Sequence, residues 1–356
     1  MLTGETLRNQ PSPRIGLPRF LAYGRVRMSI GSQPVRPKRT VAGIVAFYPD
    51  PSNLARLIAR AAPDVCRIVV FANSPLDGTI GERISASARE TPVTFVIPGE
   101  NLGLGRAYNA IVELALRDGA EFVLLFDQDS MPSEGMVQRL EDLAGELRRQ
   151  GEKPAVVGPR PVKASGEPFK IPRRRARPEE VPAAAVDFAI SSGSLIALDA
   201  AKVVGPFDED FFIDAIDIEW CARAWNAGWS VWLGTDIPMT HRLGLGVIHL
   251  PFGLRMTDQP PERLYTYFRN QVAMLRLAHV PAGWKLRFIA SLPARCFIYV
   301  VRNRFARPAV KAIGLGLLDG IMNRLGSPGR GWRVIERSRG PGEVRPVGPA
   351  GSLPPE

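Results

Sequence analysis

Phe122-Val123-Leu124-Leu125-Phe126, followed at once by Asp127-Gln128-Asp129-Ser130, is the stretch that decides the fold. Five apolar residues in a row, without polar alternation, read as a strand buried on both faces, the kind found in parallel sheets covered by helices. The two carboxylates then emerge at its carboxyl end, where open α/β sheets bind their ligands. Hard cations such as Mg²⁺ or Mn²⁺ take oxygen ligands and bind through one or two carboxylates plus substrate phosphates. Asp127 and Asp129 are therefore candidate metal ligands for a diphosphate-bearing substrate. The plainer alternative is a helix starting here, with Asp129 or Ser130 as its cap and Pro132 in its first turn.

Strands and helices alternate upstream of this point. The spacing predicts strands over 41–48, 67–72 and 93–97, with helices over 52–61, 80–90 and 105–117 between them. Apolar residues at 107, 111, 114 and 115 give the last helix its stripe, and Gly119 ends it. Such alternation predicts a doubly wound, mixed but mainly parallel sheet flanked by helices. Downstream, a helix over 136–150 and short strands at 155–158 and 231–234 continue the pattern. The polar, basic stretch 163–182 reads as a long surface loop.

Residues 1–38 carry scattered Arg, Pro and Gly without periodicity and read as a disordered basic leader, and 331–356 as a disordered tail. Residues 39–250 form the expected catalytic domain, and 251–330 a helical extension rich in aromatic and basic residues. Within that extension, apolar residues at 289, 292, 296 and 299 form one helical stripe, with Arg287, Ser291, Arg295 and Arg302 opposite and Pro293 interrupting. A basic amphipathic helix of this kind either lies on an anionic membrane surface or packs on its own enzyme.

With only 3 Cys in 356 residues, neither a disulfide framework nor a cysteine metal cluster is expected, and a cytoplasmic setting follows. The net charge of +11 calls for an anionic partner. No nucleic-acid-binding motif accompanies it, so nucleic acid ranks below phosphorylated substrates and membrane. No secretory signal opens the chain, and no run of about 18 apolar residues could span a bilayer.

Two further constellations carry chemistry. Asp214, Asp217 and Glu219 lie in Phe211-Phe212-Ile213-Asp214-Ala215-Ile216-Asp217-Ile218-Glu219-Trp220, acids framed by large apolar groups. A helix through them would put Asp214 and Asp217 on one face, where a carboxylate against apolar walls suits a general base. Helix N-terminal acids that merely favour the macrodipole are the alternative. His241 follows a short strand and precedes a Gly-rich loop, a position from which it could complete a metal shell with Asp129. The segment 101–109 joins a strand to a helix, but Tyr108 stands where a dinucleotide fingerprint needs a small residue. Asn101 and Gly103 still suit a tight turn whose backbone donors meet a ligand.

Together these segments resemble the family 2 glycosyltransferases. The resemblance rests on Phe71-Ala72-Asn73-Ser74, Asn101-Leu102-Gly103 with Asn109, Asp127-Gln128-Asp129-Ser130, Gly193-Ser194, Gly205-Pro206-Phe207-Asp208-Glu209, Asp217-Ile218-Glu219-Trp220 and His241, with a looser match at Arg269-Asn270. The acid blocks are most similar to bacterial rhamnosyltransferases. What the resemblance implies is a GT-A fold, a nucleoside diphosphate sugar donor, Mg²⁺ or Mn²⁺, and inversion at the anomeric carbon. By motif, Asn73, Asn101, Gly103, Asp127 and Gln128 would bind the donor, while Asp127, Asp129 and His241 would hold the metal. Asp217 would be the base with Glu219 beside it, and Ser192, Gly193 and Trp220 would lie on the acceptor side. The expected donor is dTDP-L-rhamnose and the expected acceptor a hydroxyl of a glycan or lipid-linked precursor. Ala72 departs from the family pattern, which has an acid there, so UDP-galactofuranose or a UDP-hexose stays open as donor. A nucleotidyltransferase or a non-catalytic scaffold are the remaining alternatives.

Overall fold

The computed structural model describes residues 38–329 apart from 77, 164, 170–173, 175–180, 241–245 and 250–254. Strands β1 (Thr40–Ala46), β2 (Arg67–Ala72), β3 (Val93–Val96) and β4 (Phe122–Asp127) run parallel to one another. Four more, β5 (Pro154–Val162), β6 (Ala183–Ala185), β7 (Leu195–Ala197) and β8 (Ser230–Thr240), complete a sheet ordered β3-β2-β1-β4-β7-β5-β8-β6. β7 is antiparallel to both its neighbours and β6 to β8, so the sheet is mixed and mainly parallel, as its sequence pattern predicts.

The order explains where a ligand fits. From β1 the chain winds outward through β2 and β3, then returns to lay β4 on the other side of β1. A crevice opens at the carboxyl ends of strands where the winding direction reverses. Val45 is in register with Asp127, so the acids of β4 stand at that crevice. All of β1 is buried, as are Phe122 to Phe126, which accounts for the uninterrupted apolar run. Helices α1 (Pro51–Ala61), α2 (Gly78–Ser87), α3 (Gly103–Arg117), α4 (Met136–Arg149), α5 (Leu198–Val204) and α6 (Ile216–Asn226) supply the connections.

Beyond the sheet, β9 (Gly246–His249) and β10 (Arg255–Asp258) form an antiparallel pair. Helices α7 (Pro261–Ala273), α8 (Ala282–Arg302) and α9 (Arg307–Ile321) follow, sharing a second apolar cluster built on Leu264, Phe268, Tyr299, Ala312 and Ile313. The leader, the tail and most of the basic loop lie outside the described residues.

One expectation is corrected, and one left open is narrowed. Asp214 does not share a helix face with Asp217, because α6 begins only at Ile216 and Asp214 sits before it with φ 69°. In α8, of the two readings open for its apolar stripe, packing on the enzyme holds for most of it: Tyr299 is buried, and Leu292 and Cys296 pack on the second cluster. Two of the arginines placed opposite are committed within the fold. Arg295 donates to Ser291 Oγ and the Tyr267 hydroxyl, and Arg302 pairs with Asp258 at 2.9 Å.

Candidate active site

Asp127 is the last residue of β4 and is only half-buried, its backbone still in the sheet. Its backbone amide lies 3.4 Å from Ser192 Oγ, and the Ser192 hydroxyl bonds that of Ser130. Gln128 turns back to β1, its Oε1 accepting from Phe47 N at 2.6 Å, and Asp129 stands exposed beyond it. Gly193 donates to Leu125 O at 2.7 Å with φ 82°. A Cβ there would lie 2.8 Å from Met239 and Pro159, so only glycine brings the 191–194 turn against the end of β4.

The second acid arrives from the far side of that turn. The Asp217 carboxylate accepts the backbone amides of Ile218, at 2.9 Å, and of Ser191. Tyr108 of α3 donates to Ser191 Oγ at 2.9 Å. Burial pushes the Asp217 carboxyl above its ordinary value, the amides of Ile218 and Ser191 pull it back, and the Asp214 charge adds to the rise. Burial raises the Tyr108 hydroxyl too, and the charges of Asp127 and then Asp217 raise it further. Two acids ninety residues apart in sequence therefore act on one phenol.

Arg263, in the first turn of α7, ties the cluster together. Its guanidinium pairs with Asp214 Oδ1, whose other oxygen accepts from Thr266 Oγ1 at 2.7 Å. Burial works against the Arg263 charge, but Asp214, then Asp127 and Asp217, outweigh it and leave its pKa raised. Four carboxylates and one guanidinium thus leave a net negative crevice.

The segment before Asp217 is held from two directions. On one side α3 meets it: Leu104 N donates to Phe212 O at 2.6 Å, and Asn109 bonds both Phe207 N and Phe207 O at 2.8 and 3.0 Å. On the other side α7 clamps it. Asn270 Nδ2 donates to the carbonyls of Phe211, Ile213 and Asp214 at 2.8, 2.6 and 2.9 Å, and Arg269 reaches Phe211 O at 3.1 Å. The looser Arg-Asn match in the sequence has this physical content.

Of the remaining residues singled out from sequence, Asn73 is buried and staples β2 to α3, accepting from Leu102 N at 3.0 Å and donating to Gly103 O at 3.2 Å. Asn101 Oδ1 accepts from Gly103 N at 3.0 Å, so both asparagines shape the turn that borders the crevice. Glu219 is buried and gripped by Arg223 at 2.6 and 2.9 Å, and Arg223 also caps Val204 O and Pro206 O. His279 Nε2 comes within 2.8 Å of Glu219 Oε1 but off the line of a hydrogen bond. Trp220 is buried, stacked on Phe207 with its indole N–H on Gly205 O. Geometry gives Glu219 and Trp220 a part in seating α6 against the core. His241 lies outside the described residues. Sequence reasoning passed over Arg263 and Thr266. The signal was there: Arg263, Thr266 and Asn270 recur at i, i+3 and i+7, a polar stripe on a helix otherwise made apolar by Leu264, Tyr265 and Phe268.

Whether the site suits a divalent cation turns on its donors. Among the described residues no three His, Cys, Asp or Glu side chains converge as a complete protein cage. What stands there is a carboxylate pair at the strand end, all hard oxygen, which fits a cation whose shell is completed by diphosphate oxygens. The electrostatics of the pair support the fit: burial first, then the Asp129 charge, pushes Asp127 from 3.8 up to about 7, with Arg263 opposing and Asp217 adding.

That shift carries a stability consequence. The folded protein binds this proton more tightly than the unfolded chain does, so stability falls as pH rises from the ordinary carboxyl range through about 7. Asp127→Asn, measured in chelator, is therefore expected to raise Tm most at about pH 8, with the gain fading by about pH 4. A loss of Tm at the higher pH would show that the Asp127 charge is compensated after all.

Residues 44–196 match the family described as Glycosyl transferase family 2, and this stretch is a family 2 glycosyltransferase domain on a GT-A fold. The chain is a glycosyltransferase. It is rhamnosyltransferase-like: over 288 residues, covering 79% of this chain and 94% of the relative, it is 27% identical to the dTDP-rhamnosyl transferase RfbF of Shigella flexneri. Among solved structures, S. aureus TarS 1-349 superposes with a TM-score of 0.51 at 15% identity, covering 80% of this chain and 82% of TarS. The same TarS piece in complex with UDP-GlcNAc gives 0.50 at 16% identity with the same coverage. At these identities the TarS likeness speaks to the fold alone.

Proposed function

We propose that this enzyme transfers L-rhamnose from dTDP-L-rhamnose, with inversion, to a hydroxyl of a cell-surface polysaccharide or lipid-linked glycan precursor. The observation that carries it is the convergence of the β4 acids and Asp217 on one crevice at the switch point of the sheet. Nucleotide-sugar transfer needs both a place for a diphosphate and a base for the incoming alcohol, and the crevice offers each. The choice of rhamnose is supported by the name of the RfbF relative.

In this mechanism Asp217, as the carboxylate, takes the proton from the acceptor hydroxyl as its oxygen forms a bond to the anomeric carbon. The bond from that carbon to the diphosphate oxygen breaks on the opposite face, and the nucleoside diphosphate departs with the electron pair. The proton passes from Asp217 to solvent. Asp127 and Asp129 are the residues that would hold Mg²⁺ or Mn²⁺, with His241 a further candidate. The bound ion would offset charge on the departing diphosphate. Asn73, Asn101, Gly103 and Gln128 shape the donor side, and Ser192 and Gly193 the turn between the two acids.

A panel of dTDP-L-rhamnose, UDP-galactofuranose and UDP-hexoses, titrated with and without Mn²⁺, tests this. Tightest metal-dependent binding and turnover with dTDP-L-rhamnose is expected, and preference for a UDP-sugar would reassign the donor. Loss of an outer-shell partner alone typically costs about 10–100-fold in metal affinity, so Asp129→Ala should weaken metal-dependent donor binding at least that far. Unchanged binding by calorimetry would remove Asp129 from the metal site.

A further inference from the structure

Nine of the fourteen exposed large hydrophobic side chains among the described residues fall between Leu286 and Met322, on α8, the turn after it, α9 and the cap residue that ends α9. On α8, Leu286, Ile289, Phe297 and Val301 fall within an arc of about 120° at 100° per residue. Leu286 and Phe297 are each 67% exposed, where single scattered apolar residues would need no explanation but a continuous stripe does. At 21 residues the helix offers a strip about 31 Å long. The turn after it carries exposed Phe305, and α9 continues with Val310, Leu318 and Ile321.

Charge selects the occupant. Residues 282–324 hold eight Lys or Arg against the single acid Asp319, which is buried and bonded to the Tyr265 hydroxyl. Arg287, Arg304, Arg307 and Lys311 are exposed beside the apolar strip. A second copy of the chain would set like charge against like. The terminal stretches are also cationic: residues 1–37 carry six Arg against one Glu, and 330–356 five Arg against three Glu. No helix among the described residues is long and apolar enough to cross a membrane. Exposed apolar rows flanked by cations, too short in hydrophobic extent to span, match the interface of an anionic bilayer.

We propose that the outward face of α8, with Phe305 and α9, docks on an anionic lipid surface. This face shares only Ile289 with the sequence-predicted stripe, whose residues 292, 296 and 299 pack inward. The docking stands on exposure and charge alone; its use, to bring the crevice to a lipid-linked acceptor, rests on the function proposed above.

The test is flotation of the full-length protein with mixed phosphatidylcholine–phosphatidylglycerol vesicles and with pure phosphatidylcholine vesicles. Binding is expected only to the anionic mixture, and to fall as salt is raised. Leu286→Glu/Phe297→Glu should cut it by about tenfold or more, and Arg307→Gln/Lys311→Gln should weaken it and blunt its salt dependence. Both variants alter exposed positions, and an unchanged Tm confirms that they fold. Absence of flotation by wild type, or equal flotation by the double glutamate variant, overturns the proposal. So does a dimer seen by light scattering that Leu286→Glu/Phe297→Glu dissolves without any vesicle binding. Donor titration run alongside separates the two ideas: flotation without donor binding would sink the proposed transfer and leave the surface standing.

Discussion

Asp217→Asn is expected to bind donor as wild type does and to lose transfer by a factor of about 10² to 10⁴, the usual worth of a general base. That corresponds to roughly 3–5 kcal/mol of barrier. The amide keeps the shape of the side chain and can still accept from Ile218 N, so the helix start should hold. What it cannot do is take the acceptor proton. Because burial holds the Asp217 carboxyl above its ordinary value, wild-type transfer should climb with pH as that group ionises, and the variant's residual rate should lose that limb. The fold should not suffer, since removing a buried charge beside Asp214 relieves repulsion. Near-wild-type turnover by Asp217→Asn would take the base role away from this residue.

Asn270→Ala is expected to do the opposite: damage the scaffold first and the chemistry through it. Asn270 is fully buried, and its one amide group serves three carbonyls of the segment before Asp217. A stranded buried polar group costs about 1–3 kcal/mol, so the loss should reach roughly 3 kcal/mol. At about 2–4 °C per kcal/mol for a domain of this class, Tm should drop by around 6–12 °C. The segment it holds is strained as well: Phe212, Asp214 and Ala215 have φ of 61°, 69° and 62°. Such backbone costs about 1–3 kcal/mol per residue and persists only where surroundings over-determine it. Released, Asp214 and Asp217 should drift from the crevice, lowering kcat while the pH limb of the remaining activity stays in place. A variant with wild-type Tm and activity would mean that α3 alone fixes the segment. The two variants separate base from clamp, since only one shifts the pH profile and only the other lowers Tm.

The legible part of this protein was local. The strand over 122–126, the helix over 105–117 and the parallel alternation upstream all follow from apolar runs and 3.6-residue spacing, which record burial of each element by itself. The crevice acids were legible for the same reason: a carboxylate after five buried residues has nowhere to be but a strand end. Where neighbours in space were distant in sequence, pattern failed. The spacing of Asp214 and Asp217 suggested one helix face, but Asp214 and Ala215 take left-handed backbone ahead of the helix, just after Phe212 packs on Gly103 at the start of α3. The basic helix at 284–305 was legible as amphipathic, but its pattern alone left open whether the apolar stripe met a membrane or the enzyme itself. Tyr299 was drawn inward by Tyr267 and Phe268 of α7, leaving Leu286 and Phe297 outside.

Local pattern was enough to place Asp127 and Asp129 at a strand end of a mainly parallel sheet, because burial pattern and backbone geometry act within a few residues. The family resemblance implied that Asp217 works beside them; what the motifs did not specify, and packing supplies, is the grip of Arg263 on Asp214 and of Asn270 on the carbonyls ahead of Asp217. Those contacts span 49 to 59 residues and exist because α7 is packed against α9 and the segment ahead of α6. No local preference encodes such a meeting; it is set by which buried surfaces fit together once every element has formed.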